Sequence, residues 1–334
     1  MKLSLDDNGV VVEDMPKVYI EEVPTLDGRF EKRIVKVGDG SIIKLFDKTL
    51  IPKRPNDVVC PHFLELKWAN GCNFNCAWCY LQGTFRFLDR GKRPYIKDWN
   101  KIIMHLKALF SCNGKTKPEL VNAGEICDSL IGEKLNPPAS KRLIELFNEQ
   151  NYHKLLLVTK SDMIDNLLRL EPKNTIVSFS INAYPVAERW EKGAPHPKRR
   201  IEAARKLYEY GYKVRIRIDP MVPVTNWEEY YTTLVNDLFK HLEPERITFG
   251  TLRGLWSTIN NCKDKSWVRF VLDGESTNWG LRPKFEIRLE MFKTMINLLE
   301  KEYGYKDYAL CKETVRVWSE LELDYRKIKC NCML

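Results

Sequence analysis

The chain has 334 residues, of which 44% are hydrophobic and 30% charged, and a formal net charge of +9. Such a balance describes a globular protein with a substantial core, and the length allows one large catalytic domain with appendages or two modest ones. The longest apolar runs, such as Leu155 to Val158, are far too short to cross a bilayer, and the opening Met1-Lys2-Leu3-Ser4-Leu5-Asp6-Asp7 lacks the apolar stretch of a signal peptide. The expectation is a cytoplasmic protein with no membrane partner. In that compartment ten cysteines do not read as a disulfide framework, and their short spacings point to metal ligation.

Residues 1–58 read as an extended N-terminal β segment. Val18–Ile20, Arg33–Val37 and Ile42–Leu45 are strand-like, with turns at Asp27-Gly28 and Asp39-Gly40. From residue 59 to 254 strands and helices alternate. Strands are expected at 63–69, 119–123, 154–159, 175–181, 213–219 and 246–250. Helices are expected between them, at 97–110, 139–150, 162–169, 197–210 and 227–241, with Asp98 and Ser140 as starts and Gly211 as a stop. This alternation implies an α/β fold with a mainly parallel sheet, closed only part of the way: a partial (β/α)6 barrel of the TIM type. Its chemistry belongs at the C-terminal ends of the strands. Residues 255–334 add a helix at 285–302 and a cysteine-containing tail.

Positive charge crowds one region: Lys192, Lys198, Arg199, Arg200, Arg205, Lys213, Arg215 and Arg217. A phosphate-binding surface and a solvated helix face beside a basic strand are equally good accounts of it. Arg215 and Arg217 alternate with Val214 and Ile216, so both share one side of their strand, and a buried arginine there needs an anionic partner.

The first core strand runs directly into Gly71-Cys72-Asn73-Phe74-Asn75-Cys76-Ala77-Trp78-Cys79-Tyr80. Three thiolates at these spacings can wrap a [4Fe–4S] cluster and leave one iron open for another ligand. A structural zinc site would want a fourth ligand, and core cysteines would not normally gather on a Gly/Asn-rich strand-end loop.

The triad spacing resembles that of the radical S-adenosylmethionine (SAM) superfamily. Cys79-Tyr80-Leu81-Gln82 followed by Arg93-Pro94-Tyr95-Ile96-Lys97 resembles, more narrowly, the spore photoproduct lyase family of DNA-repair enzymes. Val158-Thr159-Lys160, Ser178-Phe179-Ser180-Ile181-Asn182 and Arg200–Lys206 with Gly211-Tyr212-Lys213 continue the similarity in the same order. The resemblance implies that SAM chelates the open iron and that an electron from the cluster splits SAM to a 5′-deoxyadenosyl radical. It also implies an electron donor such as a flavodoxin or ferredoxin.

SAM contacts follow from the same source. Gly124-Glu125 looks like the superfamily's Gly-Gly-Glu element, the glycine admitting close approach and the carboxylate taking the ammonium. Lys160 and Ser180 are implied SAM contacts, Tyr80 faces the adenine or the reaction chamber, and Arg217 with Asp219 is a further candidate. The family's thiol hydrogen donor falls, in gapless register, on Ile126, with Cys127 one residue away. Trp78 stands where a tyrosine is expected. Cys127 is either a thiol beside the radical or a buried structural cysteine.

In the tail Cys311, Cys330 and Cys332, with Cys262, offer a possible second metal site, for an Fe–S cluster or zinc. Three functions remain open: a radical SAM enzyme acting on DNA or RNA, one acting on a peptide or small molecule, and a non-catalytic metal-stabilised nucleic-acid-binding module.

Overall fold

The structure is a computed structural model that describes residues 15–49 and 51–334 in full, and the backbone of Leu3–Leu5 and Val11–Glu13. Its frame is a ten-stranded sheet. The N-terminal part supplies β1 (Val18–Pro24), β2 (Phe30–Val37) and β3 (Ile43–Phe46), an antiparallel run whose last strand pairs with β4 (Phe63–Leu66). Gly28, at φ +82°, turns the first hairpin as expected. The three strands thus extend the central sheet across the boundary expected near residue 58.

After β4 come a one-turn α1 (Leu81–Thr84) and α2 (Trp99–Phe110), then β5 (Leu120–Asn122), α3 (Ala139–Asn148) and β6 (Lys154–Thr159). They are followed by β7 (Thr175–Ile181), α4 (Tyr184–Trp190), α5 (Pro197–Tyr210), β8 (Lys213–Met221), α6 (Trp227–Phe239) and β9 (Arg246–Thr251). The chain ends through α7 (Trp256–Asn261), α8 (Phe285–Tyr303) and β10 (Tyr308–Leu310). All six expected core strands form and pair in parallel in chain order, and β10 adds a seventh beside β9. Every residue of β7 and β9 is buried, as parallel strands covered on both faces require.

Two helix expectations need correction. In place of a helix at 162–169 only the 3-10 turn Leu167–Arg169 forms. There the Ser161 hydroxyl accepts from Met163 N at 3.1 Å, closing a local side-chain turn in the loop. Nor does Ser140 start its helix, whose cap is Pro138. Glu133, from the preceding loop, accepts from Ser140 N at 3.1 Å and from its hydroxyl at 2.7 Å, placing a carboxylate at the helix N-terminus. Asp98 and Gly211 do what the sequence suggests: the Asp98 carboxylate accepts from Lys101 N, and Gly211 takes φ +109°.

Candidate functional site

The loops after β4 to β9 enclose a cavity of about 430 Å³, a size suited to a cofactor. Cys72, Cys76 and Cys79 line it together with Tyr80, Gly124, Glu125, Cys127, Lys160, Ser180 and Arg217. Cys311 joins them from just beyond β10.

The cysteine loop is clamped from several sides. Gly71, at φ +86°, donates to Ile126 O at 2.9 Å, and Cys72 N donates to Lys92 O at 2.9 Å. A Cβ on Gly71 would stand 2.4 Å from Lys92 O, so only glycine fits. Asn75–Cys76 pairs with Glu191–Lys192, and the Gln82 amide donates to the carbonyls of Cys76 and Ala77 at 3.1 and 3.0 Å. Burial pushes the Cys72 thiol up to about 12 and raises Cys76 and Cys79 as well. A thiolate in such surroundings needs a compensating cation, which a bound iron would supply. Among the described residues no three His, Cys, Asp or Glu side chains converge tightly enough to hold one ion. A cubane takes one thiolate per iron and so spreads its ligands more widely, and the loop fits that better than a single zinc.

The walls carry paired charge. The Lys160 ammonium sits on Glu191 at 2.8 Å, and Arg200 takes the other carboxylate oxygen at 2.6 Å. Burial alone would raise the Glu191 carboxyl, but the two cations hold it at about 2. Lys160 therefore borders the cavity already engaged. Asp128 accepts from Lys160 N and the Thr159 hydroxyl, each at 2.8 Å, and fixes the end of β6. Glu125 lies 3.4 Å from Lys312. Gly124 leaves no room for a side chain, since a Cβ would meet that of Val158 at 2.6 Å. Cys127 borders the cavity with its thiol donating to Ala123 O at 3.2 Å.

Arg217 does not engage Asp219 directly. Asp219 is taken by Arg253, and Arg217 donates to the Cys332 sulfur at 3.2 Å. Arg215, expected on the same face, finds its anion in Glu245 at 2.6 Å. Of the four tail and C-terminal cysteines expected together, Cys311, Cys330 and Cys332 come near one another and Cys60, and Cys262 does not join them. Cys262 caps α7 with its thiol donating to Ile259 O, apart from the others. Cys330 and Cys332 instead pack with Cys60 under the sheet, beside Phe46, Phe63 and Ala309. Cys262 is held at the end of α7 instead, and Cys60, just ahead of β4, stands with the tail cysteines where Cys262 was expected. Cys60, Asp128, Glu191, Arg253 and Lys312 are the residues sequence reasoning missed; each acts through a partner distant in the chain.

A partial α/β barrel with three thiols at the C-terminal rim of its strands defines the class. The model of the spore photoproduct lyase family matches residues 63–256, and the chain belongs to that family. It is 30% identical over 181 residues to the spore photoproduct lyase of Geobacillus sp. (strain Y412MC61), covering 52% of this chain and 50% of that protein. To the lyase of Bacillus subtilis (strain 168) it is 32% identical over 175 residues, again 52% and 50%. The chain thus spans about half the length of the curated relatives it matches. A solved spore photoproduct lyase mutant with bound AdoMet and dinucleoside spore photoproduct superposes with a TM-score of 0.61 at 22% identity, over 75% of each chain. That likeness bears on the fold.

Proposed function

We propose that this protein is a radical SAM enzyme whose [4Fe–4S] cluster is held by Cys72, Cys76 and Cys79 and whose substrate is a nucleic acid, for repair or base modification. The observation that carries the reading is the convergence of these thiols with the candidate SAM contacts on one cavity at the strand ends. When bound, the cluster supplies the electron that splits SAM into methionine and a 5′-deoxyadenosyl radical. The chain's own groups hold and orient. Glu125 takes the SAM ammonium, Gly124 seats the strand end against Val158 so that Glu125 reaches the cavity, and the Ser180 and Arg217 side chains close the cavity around the ligand. Tyr80 and Cys127 are the candidate hydrogen donors, and both border the cavity.

The nucleic-acid substrate draws on the family: a relative's structure holds a dinucleoside spore photoproduct. The reading brings with it an electron donor such as a flavodoxin or ferredoxin. For the tail we propose buried thiols that line the barrel rather than a four-cysteine metal site. Reduced protein mixed with SAM tests the core of the proposal, by release of 5′-deoxyadenosine.

A further inference from the structure

The basic region around Lys192 to Arg217 is largely neutralised from within. Arg199 pairs with Asp162, Arg200 with Glu191, Arg205 with Glu202 and Glu209, and both Lys213 and Arg215 with Glu245. Unneutralised positive charge lies instead on the loop between α1 and Tyr95. It carries Arg86, Arg90, Lys92 and Arg93 against the single acid Asp89. Arg86 and Lys92 donate to backbone carbonyls, of Gly83 at 2.6 Å and Cys72 at 3.2 Å, and Arg93 Nε donates to Arg90 O at 3.1 Å. Among the described residues none of the four meets a carboxylate.

Aromatic rings stand beside these cations. Phe87 is 80% exposed, Tyr95 46% and Trp256 57%. The Arg86 guanidinium lies 3.9 Å from the Phe87 ring centroid, and that of Arg90 4.3 Å from Tyr95. The loop belongs to the cavity rim at both ends: Thr84 lines the cavity before it, and Lys92 bonds the carbonyls of Cys72 and Phe74 after it. Trp256 opens α7, which packs on α1 so closely that a Cβ on Gly83 would meet Ser257 at 2.6 Å.

We propose that this loop, with Trp256, is a docking surface for a single-stranded segment of nucleic acid, phosphates lying on Arg86, Arg90 and Arg93 and bases stacking on Phe87, Tyr95 and Trp256. Flat rings interleaved with unpaired guanidinium groups match the two faces of a polynucleotide. An acidic peptide would use the cations and leave the rings exposed. The inference rests on the nucleic-acid reading above and adds where the strand enters.

The test is fluorescence anisotropy of a labelled single-stranded oligodeoxynucleotide of about 12 nucleotides, titrated with reconstituted protein across a salt series. In a variant carrying Arg86→Gln, Arg90→Gln and Arg93→Gln, the slope of log affinity against log salt becomes shallower by about 2. Phe87→Ala weakens binding about tenfold and leaves that slope unchanged. Iron content and 5′-deoxyadenosine release stay at the wild-type level in both, which establishes that the fold is intact. Wild-type affinity and slope in both variants would overturn the docking surface and leave the proposed function standing. Displacement of the oligonucleotide by polyglutamate at equal charge would also overturn it, in favour of an acidic protein partner. If the wild type binds no oligonucleotide, the nucleic-acid reading falls with it, while 5′-deoxyadenosine release still reports the radical chemistry.

Discussion

At Glu191 one fully buried carboxylate holds two cations from different elements, Lys160 at the end of β6 and Arg200 in α5, while its backbone pairs with Cys76. Lys160 and Arg200 stand out in the sequence, but nothing local marks Glu191 as their shared partner, and the need of buried charge for compensation identifies it only once the fold is known. His153 shows a cost of the opposite kind. Its ring is buried, Nδ1 accepts from Glu119 N at 3.1 Å, and burial lowers its pKa from 6.5 to about 4. Between these values the unfolded chain binds the extra proton, so stability from this group is complete above pH 6.5 and is lost as pH falls toward 4, by about 3 kcal/mol. Urea unfolding of wild type and His153→Asn across that window measures it. The wild type is expected to lose more stability than the variant, and equal losses would contradict the assignment.

At the scale of elements, the core strands were legible because burial on both faces leaves apolar runs between turn signals, and helices α2 and α5 because Asp98 and Gly211 mark their ends. The missing helix at 162–169 was not legible, since its polar side chains serve the loop. The cysteine loop was legible as a motif, but not its clamp. Gly71→Ala would force a Cβ into Lys92 O at a positive φ, at a cost of roughly 1–3 kcal/mol, and displace Cys72. Gly91→Ala, also at positive φ but in open space, is the control. Iron per chain after anaerobic reconstitution is expected to drop for the first and hold for the second; retention in both would show that the clamp does not position the ligand.

Across the whole molecule the ends of the chain complete the sheet. Strands β1 to β3 extend one edge, β10 forms the other, and the tail inserts under it. Asn331 is fully buried, with its amide donating to Ser178 Oγ at 3.0 Å and Ile216 O at 2.8 Å while its carbonyl accepts from Thr248 at 2.8 Å. Tail cysteines suggested metal in the sequence; the sequence does not announce this insertion of Asn331 between them, which depends on contacts more than eighty positions apart in the chain. Asn331→Ala leaves buried polar groups without partners and should cost roughly 2–4 kcal/mol in urea unfolding. A loss below 0.5 kcal/mol, roughly the range of an ordinary surface substitution, would mean the tail is not an integral part of the fold.

The central claim is that Cys72, Cys76 and Cys79 hold a cluster that opens SAM. It is tested most directly by mixing anaerobically reconstituted, dithionite-reduced protein with SAM and measuring 5′-deoxyadenosine by chromatography. The account predicts release from the wild type and none from Cys76→Ala. Equal release from both, or none from a wild type loaded with about four irons per chain, would contradict it.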